Sequence, residues 1–267
     1  MQKEKDIMIN VDDLSFAIDD AKILSSVSID IKKHEFVGLI GPNGCGKSTL
    51  LKNIYRHYKP DHGAVYLDGR DVQGMNSKEV ARKMAVVAQE NIEDFDFSVL
   101  QMVMMGRYAH KKLFQGDNAE DTRICEHALE TVGLRHLRDR SFLSLSGGEK
   151  QRIYLAMAFA QQSEIIVLDE PTNHLDIGYQ LLMMESMRKF RDKTIFTSVH
   201  DMNLAAWFCD RIIVMNHGKI IETGKPEEIL TKELIKDVFH VNVEIGRREA
   251  DGRLQIAYLN YTNGIDK

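Results

Sequence analysis

The sequence has no apolar stretch approaching the roughly 18 residues that a membrane-spanning helix needs. Its first residues also lack the apolar core of a signal peptide. It contains only three cysteines, Cys45, Cys125 and Cys209, which are odd in number and too far apart for a metal site. These absences predict a protein with free thiols that stays in the reducing cytosol.

An excess of positive charge is also missing, because 40 acidic residues outnumber 35 Lys and Arg and give a formal net charge of -5. A nucleic-acid-binding domain usually carries such an excess, so no nucleic-acid partner is expected. The sequence shows no internal repeat and no low-complexity linker. Its 267 residues, 43% of them hydrophobic, can form one large core or a core with an inserted subdomain.

The apolar pattern predicts strands in both halves of the sequence, with a helical insertion over residues 98–162 between them. Strands that alternate with helices after this insertion are typical of a parallel sheet with covering helices. A helical tail and a final strand or hairpin near 253–261 are expected after residue 224. The predicted strands are 7–11, 26–31, 36–40, 63–68, 84–88, 165–168, 194–199 and 212–216, and the predicted helices are 48–58, 99–108, 119–132, 149–161, 179–190 and 202–209.

One segment has the pattern G-x-x-x-x-G-K-S and lies between the predicted strand 36–40 and the predicted helix 48–58. Its glycines let backbone N–H groups point at phosphates, and the helix offers its positive end. Lys47 adds charge for the β- and γ-phosphates, and the Ser48 hydroxyl can ligate Mg²⁺. The flanking strand and helix favour ATP binding over a plain glycine turn. The segment consists of Gly41, Pro42, Asn43, Gly44, Cys45, Gly46, Lys47 and Ser48.

Two adjacent carboxylates, Asp169 and Glu170, follow the apolar strand 165–168. A phosphate-binding loop needs an acidic group at the end of a neighbouring strand to hold the magnesium shell, and Asp169 supplies one. A second carboxylate can orient the water that attacks the γ-phosphate. Alone, such a pair is more often a solvated turn, but beside the phosphate loop the catalytic interpretation is favoured.

A second glycine-rich element, residues 145–149, stands directly before the helix 149–161. Ser146, Gly147 and Gly148 would therefore present free N–H groups to an anion. One nucleotide hardly needs two such cradles from one chain. On its own, the element is better explained by Ser146 capping the helix with Glu149 as the other half of a capping box.

Taken together, the motifs resemble those of ATP-binding cassette (ABC) ATPases in order and spacing, over nearly the whole chain. They are the phosphate loop, Gln89, the LSGGE segment followed by Lys150, Gln151 and Arg152, the LDEPT segment at 168–172, Asp176 and His200. The resemblance implies an α/β P-loop NTPase core with a mostly parallel sheet, an N-terminal antiparallel β subdomain and an inserted α-helical subdomain. The core would comprise 1–92 and 163–267, and the helical subdomain 93–162.

The resemblance also implies a site shared by two copies of this chain in a head-to-tail dimer, with ATP and Mg²⁺ as cofactors. The phosphate loop and Thr49 of one copy would face the glycine-rich element and Asp176 of the other. Gln89 would contact the magnesium, with Ser48 and Asp169, or the attacking water, and would report its state to a partner. His200 would contact the γ-phosphate and hold Glu170. Without the family, Gln89 and His200 would be ordinary strand-end residues, and Asp176 a helix cap.

One position departs from the family, which usually places an aromatic ring before the loop to stack on adenine. Ile18 stands there, so apolar contact from Ile18, or from Phe16 turned inward, would replace the stacking and leave base selectivity weak. Cys45 is expected to contribute its backbone N–H, with a side chain that acts as a small filler. If its thiol were exposed, ATPase activity would be thiol-sensitive. Core packing is the default explanation for two methionine sets, Met102, Met104 and Met105, and Met183, Met184 and Met187. For the first set, a groove for a membrane partner is an equal alternative.

Several segments resemble the importer group that moves iron chelates (siderophores and haem) and cobalamin, namely residues 105–108, 172–177 and 200–206. The chain is therefore expected to be the ATPase of a prokaryotic importer, a peripheral protein at the cytoplasmic face of the membrane. Its partners would be integral membrane permease subunits and, indirectly, an extracytoplasmic substrate-binding protein. Zinc or manganese import is an alternative. Soluble ABC proteins that act on DNA or on ribosomes are less favoured, because the sequence shows no long coiled coil and no second cassette. A regulatory cassette that does not hydrolyse ATP is also less favoured, because it would lack Glu170 or His200, and both are present.

Overall fold

The computed structural model describes residues 6–88, 96–112, 115–173 and 175–262. Backbone contacts divide the chain into two compact units, the first formed by Met1–Val72 with Phe196–Lys267 and the second by Gln73–Ile195. The helical subdomain predicted over 93–162 was defined by sequence motifs and not by backbone contacts, and it stays a prediction. No helix in the described ranges is long and apolar enough to cross a membrane.

The first unit contains an antiparallel sheet in the order β2-β1-β4-β5. A two-residue turn joins β1 to β2, and both of its residues, Asp19 and Asp20, have positive φ, as a tight hairpin turn requires. β1 continues past the predicted end at residue 11, because a register shift between Val11 and Leu14 bends the strand without ending it. The strands are β1 (Ile7–Ile18), β2 (Ala21–Lys32), β4 (His62–Leu67) and β5 (Arg70–Asp71).

The first unit also contains strands in the order β10-β9-β3-β8, in which β3 and β9 are parallel. All five residues of β3 are buried, as expected of a strand covered on both faces. β10 was not predicted, because most of its residues are exposed and no alternation marks it. The elements are β3 (Phe36–Ile40), β8 (Thr194–Ser198), β9 (Arg211–Asn216), β10 (Lys219–Gly224), α1 (Lys47–Ile54), α7 (Met202–Phe208), α8 (Pro226–Ile229) and α9 (Lys232–Phe239).

The C-terminal part of the first unit is an antiparallel hairpin of β11 (Val241–Arg247) and β12 (Leu254–Tyr261). It confirms the expected strand or hairpin near 253–261. Only Val243 and Ile256 of this hairpin are buried. The hairpin therefore gains little from a core of its own and depends on the elements against which it packs.

The second unit places β6 and β7 parallel to each other. The predicted helix over 99–108 is wrong beyond residue 104, since the chain tightens into a 3-10 helix, Met105–His110. Gly106 packs there against the Met157 carbonyl and leaves no room for a Cβ. The elements are β6 (Met84–Val87), β7 (Ile165–Leu168), α2 (Ser77–Lys83), α3 (Val99–Met104), α4 (Ala119–Thr131), α5 (Gly147–Ala160) and α6 (Ile177–Arg188).

The methionine sets belong mainly to the core. Five of the six side chains are buried, and only Met105 is partly exposed. The sulfur of Met104 also lies 3.7 Å from the thiol of Cys125. Of the two alternatives, core packing is the one that the structure supports. The buried members are Met102, Met104, Met183, Met184 and Met187.

A buried ion pair joins three elements of the second unit. Arg107 Nε donates to Asp121 Oδ1 at 2.9 Å, and its Nη1 donates to the Ala160 carbonyl at 2.8 Å and to Gln162 Oε1 at 3.0 Å. Burial alone would raise the pKa of Asp121, but the Arg107 hydrogen bond and charge hold that pKa below its ordinary value. The pair therefore ties the 3-10 helix after α3 to the start of α4 and the end of α5.

Replacing Asp121 with Asn should lower the free energy of unfolding by about 3–5 kcal/mol, because the buried Arg107 charge loses its counter-ion. Urea denaturation of the full chain measures this loss. Glu120→Gln is the matched control, since Glu120 pairs with Arg123 on the exposed surface of the same helix. Solvent screens that pair, so the control should keep the wild-type midpoint.

The same substitution should change the dependence of stability on pH. Because folding lowers the pKa of Asp121, its contribution is complete above the ordinary carboxyl pKa of about 3.9. The contribution disappears as the pH falls through the lower folded-state value. Wild-type protein should therefore lose unfolding free energy in acid more steeply than Asp121→Asn. Equal slopes for the two proteins would contradict the role assigned to this pair.

Candidate functional site

The phosphate loop has the context that the sequence predicts, following buried β3 and running directly into α1. A Cβ on Gly41 would collide with the Met215 carbonyl oxygen and lie 2.7 Å from Cys45 Sγ. Gly44 and Gly46 have φ values of 75° and 107°, a conformation that favours glycine. A Cβ on Gly44 would meet nothing within 4 Å. The loop is thus packed closely on its β9 side and open at Gly44.

The Lys47 side chain is only 4% exposed. Its Nζ donates to the carbonyl oxygens of Gly41 at 2.8 Å and Pro42 at 3.0 Å. The ammonium is therefore already held at the centre of the loop. A buried cation, a glycine cradle and the N-terminus of α1 together fit a phosphate group.

The Cys45 thiol is buried, which supports the expected small filler and does not supply the exposure that thiol sensitivity would need. Burial raises the pKa of the thiol, although the nearby Lys47 charge acts in the opposite direction. Its backbone also braces the loop, because the Cys45 carbonyl accepts from Gly218 N–H at 2.9 Å. Cys45 N–H donates to the Pro42 carbonyl at 3.3 Å. Cys45 therefore acts in this structure as a filler that shapes the loop.

His200 lies beside the phosphate loop within the first unit. The preceding residue, Val199, donates its N–H to the Leu39 carbonyl of β3 at 3.0 Å. The following residue, Asp201, caps α7 by accepting from Leu204 N–H at 2.8 Å. His200 and residues 41–45 line one cavity of 680 Å³, together with residues 216–217, 238–240 and 261. An imidazole and a phosphate cradle therefore open onto the same space.

Ile18 ends β1 at the hairpin turn and is 41% exposed. The alternative residue, Phe16, stacks its ring on Tyr58 with 4.9 Å between centroids and 17° between planes. Phe16 is thereby committed to packing within the unit. Ile18 remains the apolar side chain that is available to a nucleobase at this position.

In the second unit, Asp169 ends buried β7, has no exposed surface and donates its N–H to the Val87 carbonyl at 2.9 Å. Glu170 follows with a φ of 53°. A left-handed non-glycine residue costs about 1–3 kcal/mol and is typical of functional sites. The Glu170 carboxylate accepts from the Asn173 side chain. Sequence reasoning did not single out Asn173, because an amide three residues on is an ordinary turn signal.

The glycine-rich element forms the N-terminus of α5 with the capping box that the simpler interpretation predicts. Ser146 N–H donates to Glu149 Oε2 at 2.8 Å, and Glu149 N–H donates to Ser146 Oγ at 3.4 Å. Ser146 Oγ–H also donates to Glu149 Oε2 at 2.8 Å, and the two bonds that this carboxylate accepts from Ser146 lower the pKa of Glu149. Ser146 and Gly147 are nevertheless exposed, and a Cβ on Gly147 would meet only open space. Capping and an accessible helix N-terminus therefore coexist.

Asp176 caps α6, and its Oδ1 accepts from Tyr179 N–H at 3.0 Å. The Tyr179 side chain also meets the start of α5, since a Cβ on Gly148 would lie 3.4 Å from it. The Arg152 guanidinium covers the same ring at 4.9 Å. Asp176 and the glycine-rich element therefore lie side by side in the second unit.

Gln89 lies outside the described residues. Within the described ranges no group of three or more His, Cys, Asp or Glu side chains forms a metal cluster. Magnesium at a phosphate-loop site takes most of its ligands from phosphate and water, so it does not require such a cluster. The hard oxygen donors of Ser48 and Asp169 suit that ion.

Comparison with known proteins places these motifs in one family. The model of the ABC transporter family matches residues 24–173. The iron(3+)-hydroxamate import ATP-binding protein FhuC of Bacillus subtilis (strain 168) is 37% identical over 240 residues, which cover 89% of each chain. An inward-facing transporter assigned to the metal-chelate type gives a TM-score of 0.82 at 26% identity, covering 96% of this chain and 98% of its own. A dimeric bacterial ABC transporter cassette gives a TM-score of 0.72 at 28% identity. That match covers 82% of this chain and 99% of the cassette's chain.

Replacing Ile18 with Tyr should strengthen ATP binding about 2- to 10-fold, because an aromatic pair contributes about 0.5–1.5 kcal/mol beyond buried area. Titration with a fluorescent ATP analogue measures the change. Phe16→Leu is the matched control, since it removes the ring that stacks on Tyr58. The control should keep the wild-type affinity. No gain from Ile18→Tyr, or a large loss from Phe16→Leu, would show that the base contact is elsewhere.

Proposed function

Because this chain belongs to the ABC transporter family of ATPases, we propose that it energises the uptake of an iron chelate, a siderophore or haem, across the cell membrane. The observation that carries this proposal is the similarity to an iron(3+)-hydroxamate import protein over 89% of both chains. In this proposal the chain is a peripheral subunit at the cytoplasmic face. It binds integral membrane permease subunits, and an extracytoplasmic protein delivers the substrate to them.

The phosphate loop and Thr49 hold the phosphates of ATP in the proposed site. Lys47 provides a buried ammonium whose present partners are two loop carbonyls, so a phosphate can replace them without moving the side chain far. Ser48 and Asp169, with Gln89, are the residues that would hold magnesium. When bound, that ion neutralises negative charge on the β- and γ-phosphates.

Glu170 orients the attacking water, and His200 contacts the γ-phosphate. The left-handed backbone of Glu170 and its hydrogen bond from Asn173 fix the carboxylate at the end of β7. His200 is fixed between the Val199–Leu39 pairing and the cap of α7. Phosphoryl transfer depends mainly on positioning and electrostatics, and both side chains stand on rigid elements that suit this task.

A second copy of the chain completes each site in the proposed head-to-tail dimer. The N-terminus of α5 is exposed at Ser146 and Gly147, where its partial positive charge can face an anion. Asp176 starts the neighbouring helix and extends the same surface. A dimeric cassette among the similar structures supports this arrangement, in which two ATP molecules close the dimer and hydrolysis reopens it.

Replacing Glu170 with Gln should preserve ATP binding and lower turnover by about 10²- to 10⁴-fold, the range for loss of a general base. Phosphate release and equilibrium nucleotide binding measure the two quantities. Glu164→Gln is the matched control, because Glu164 is an exposed acid directly before the same strand β7. The control should turn over at the wild-type rate. Undiminished hydrolysis by Glu170→Gln would remove Glu170 from this role.

The same variant tests the transported substrate. Cells that carry only Glu170→Gln should lose uptake of radiolabelled ferric hydroxamate or haem, and cells that carry Glu164→Gln should keep it. Uptake of cobalamin, zinc and manganese should be equal in both strains. Loss of one of those activities with iron-chelate uptake intact would overturn the iron assignment and favour the alternative importer.

Mixing Ser146→Arg subunits with Lys47→Ala subunits should restore ATPase activity that neither variant has alone. Half of the dimers are mixed, and each then combines one intact phosphate loop with one intact glycine-rich element, so recovery approaches about a quarter of the wild-type rate. The rate is measured against the mixing ratio. A site built within one chain would give no recovery at any ratio.

A further inference from the structure

The C-terminal hairpin β11–β12 packs against α7, the helix that follows His200. This hairpin lies beyond the residues 24–173 that the family model matches. α7 is only seven residues long, and so short a helix has little stability of its own. Its orientation must therefore be set by the elements that contact it.

Asn203 of α7 binds β12 as a neighbouring strand would. Its Nδ2 donates to the Ile256 carbonyl at 3.1 Å, and its Oδ1 accepts from Ile256 N–H at 2.8 Å. A side-chain amide carries both a donor group and an acceptor group, which match the two backbone groups of a single residue. Ile256 is itself buried, so its backbone groups are costly to leave without partners.

Trp207, one helical turn after Asn203, also binds β12. Its Nε1 donates to the Leu254 carbonyl at 2.6 Å. The Arg248 guanidinium of the hairpin covers the indole at 4.9 Å. Residues four apart share one face of a helix, so Asn203 and Trp207 bind alternate residues of β12 along one side of α7.

The hairpin also reaches the beginning of α7 and the cavity beside the phosphate loop. Partial burial and the negative charge of Asp201, the cap of α7, raise the pKa of the β12 phenol Tyr258. Tyr261 and His240 line the same cavity as His200. The Thr262 N–H donates to the His240 carbonyl at 2.8 Å and closes this end of the hairpin.

We propose that the C-terminal hairpin positions His200 through α7, and that Asn203 is the principal positioning residue. On one side of His200, Val199 is fixed to β3. On the other side, α7 is fixed to β12 by Asn203 and Trp207. A shift of the hairpin therefore changes the direction of His200 and leaves the phosphate loop in place. The inference rests on the proposed role of His200 at the γ-phosphate.

Replacing Asn203 with Ala should lower kcat about tenfold, because a displacement near 1 Å at a catalytic group can cost up to about a hundredfold. The dissociation constant for ATP should not change, since the phosphate loop keeps all its contacts. Asn242→Ala is the matched control. It removes an amide hydrogen bond of the same hairpin, from Asn242 Nδ2 to Asn260 Oδ1 at 2.8 Å, and should keep the wild-type kcat.

The decisive measurement combines Asn203→Ala with His200→Ala in single-turnover assays. If Asn203 acts through His200, the double variant hydrolyses ATP at the residual rate of His200→Ala alone. A further tenfold loss in the double variant would overturn the proposal. An equal loss from Asn242→Ala, or a parallel loss of ATP affinity, would overturn it as well.

Two further measurements cover folding and the underlying function. Trp207→Phe keeps an aromatic ring and loses the bond to Leu254, so it should lower kcat in the same direction with an unchanged melting temperature. Hydrogen exchange of the peptide 199–206 should rise in Asn203→Ala and not in Asn242→Ala.

If His200→Ala keeps full turnover, the proposed role of His200 has failed. If His200→Ala is impaired and Asn203→Ala is not, only the hairpin inference has failed.

Discussion

The hydrogen bond from Val199 N–H to the Leu39 carbonyl is the constraint on which the first unit's part of the site depends. It pairs the end of β8 with the end of β3, and these two strands lead directly to His200 and to the phosphate loop. Carboxyl ends of neighbouring parallel strands meet at one edge of a sheet, where ligands of such folds bind. Gly41 completes the arrangement, because its closeness to the Met215 carbonyl holds the loop against β9.

Features that a short segment encodes could be predicted from the sequence. The phosphate loop, the strand before Asp169 and the capping box at Ser146 each lie within a few residues, and the structure has all three. α2 was missed although Asn76 and Glu79 form a capping box, since its polar sequence carries little apolar periodicity. The stacking of Phe16 on Tyr58 and the pairing of Asn203 with Ile256 had no such signal. Their partners are separated by 42 and 53 residues, and no local pattern reports a contact of that kind.

The two interpretations of the glycine-rich element proved compatible. Ser146 satisfies the backbone of its own helix, and the same geometry leaves Gly147 exposed. A cap fixes only part of a helix terminus, so the remaining N–H groups stay available to an anion. Rigidity from the capping box therefore preorganises the surface that the proposed dimer uses. The cap at Ser146 stabilises its own helix, whereas the left-handed backbone of Glu170 is unfavourable by itself. Contacts in the surrounding turn must offset that conformational energy.

The aliphatic side chain at Ile18 has a consequence for metabolism. The loop is already shaped around Lys47, and the phosphates that it would hold are common to all nucleoside triphosphates. Contact with an isoleucine depends on buried area, which differs little between adenine and guanine. We therefore expect the purine that this protein consumes to follow the relative abundance of ATP and GTP within the cell. Its rate would then follow the combined pool of purine nucleoside triphosphates and not ATP alone.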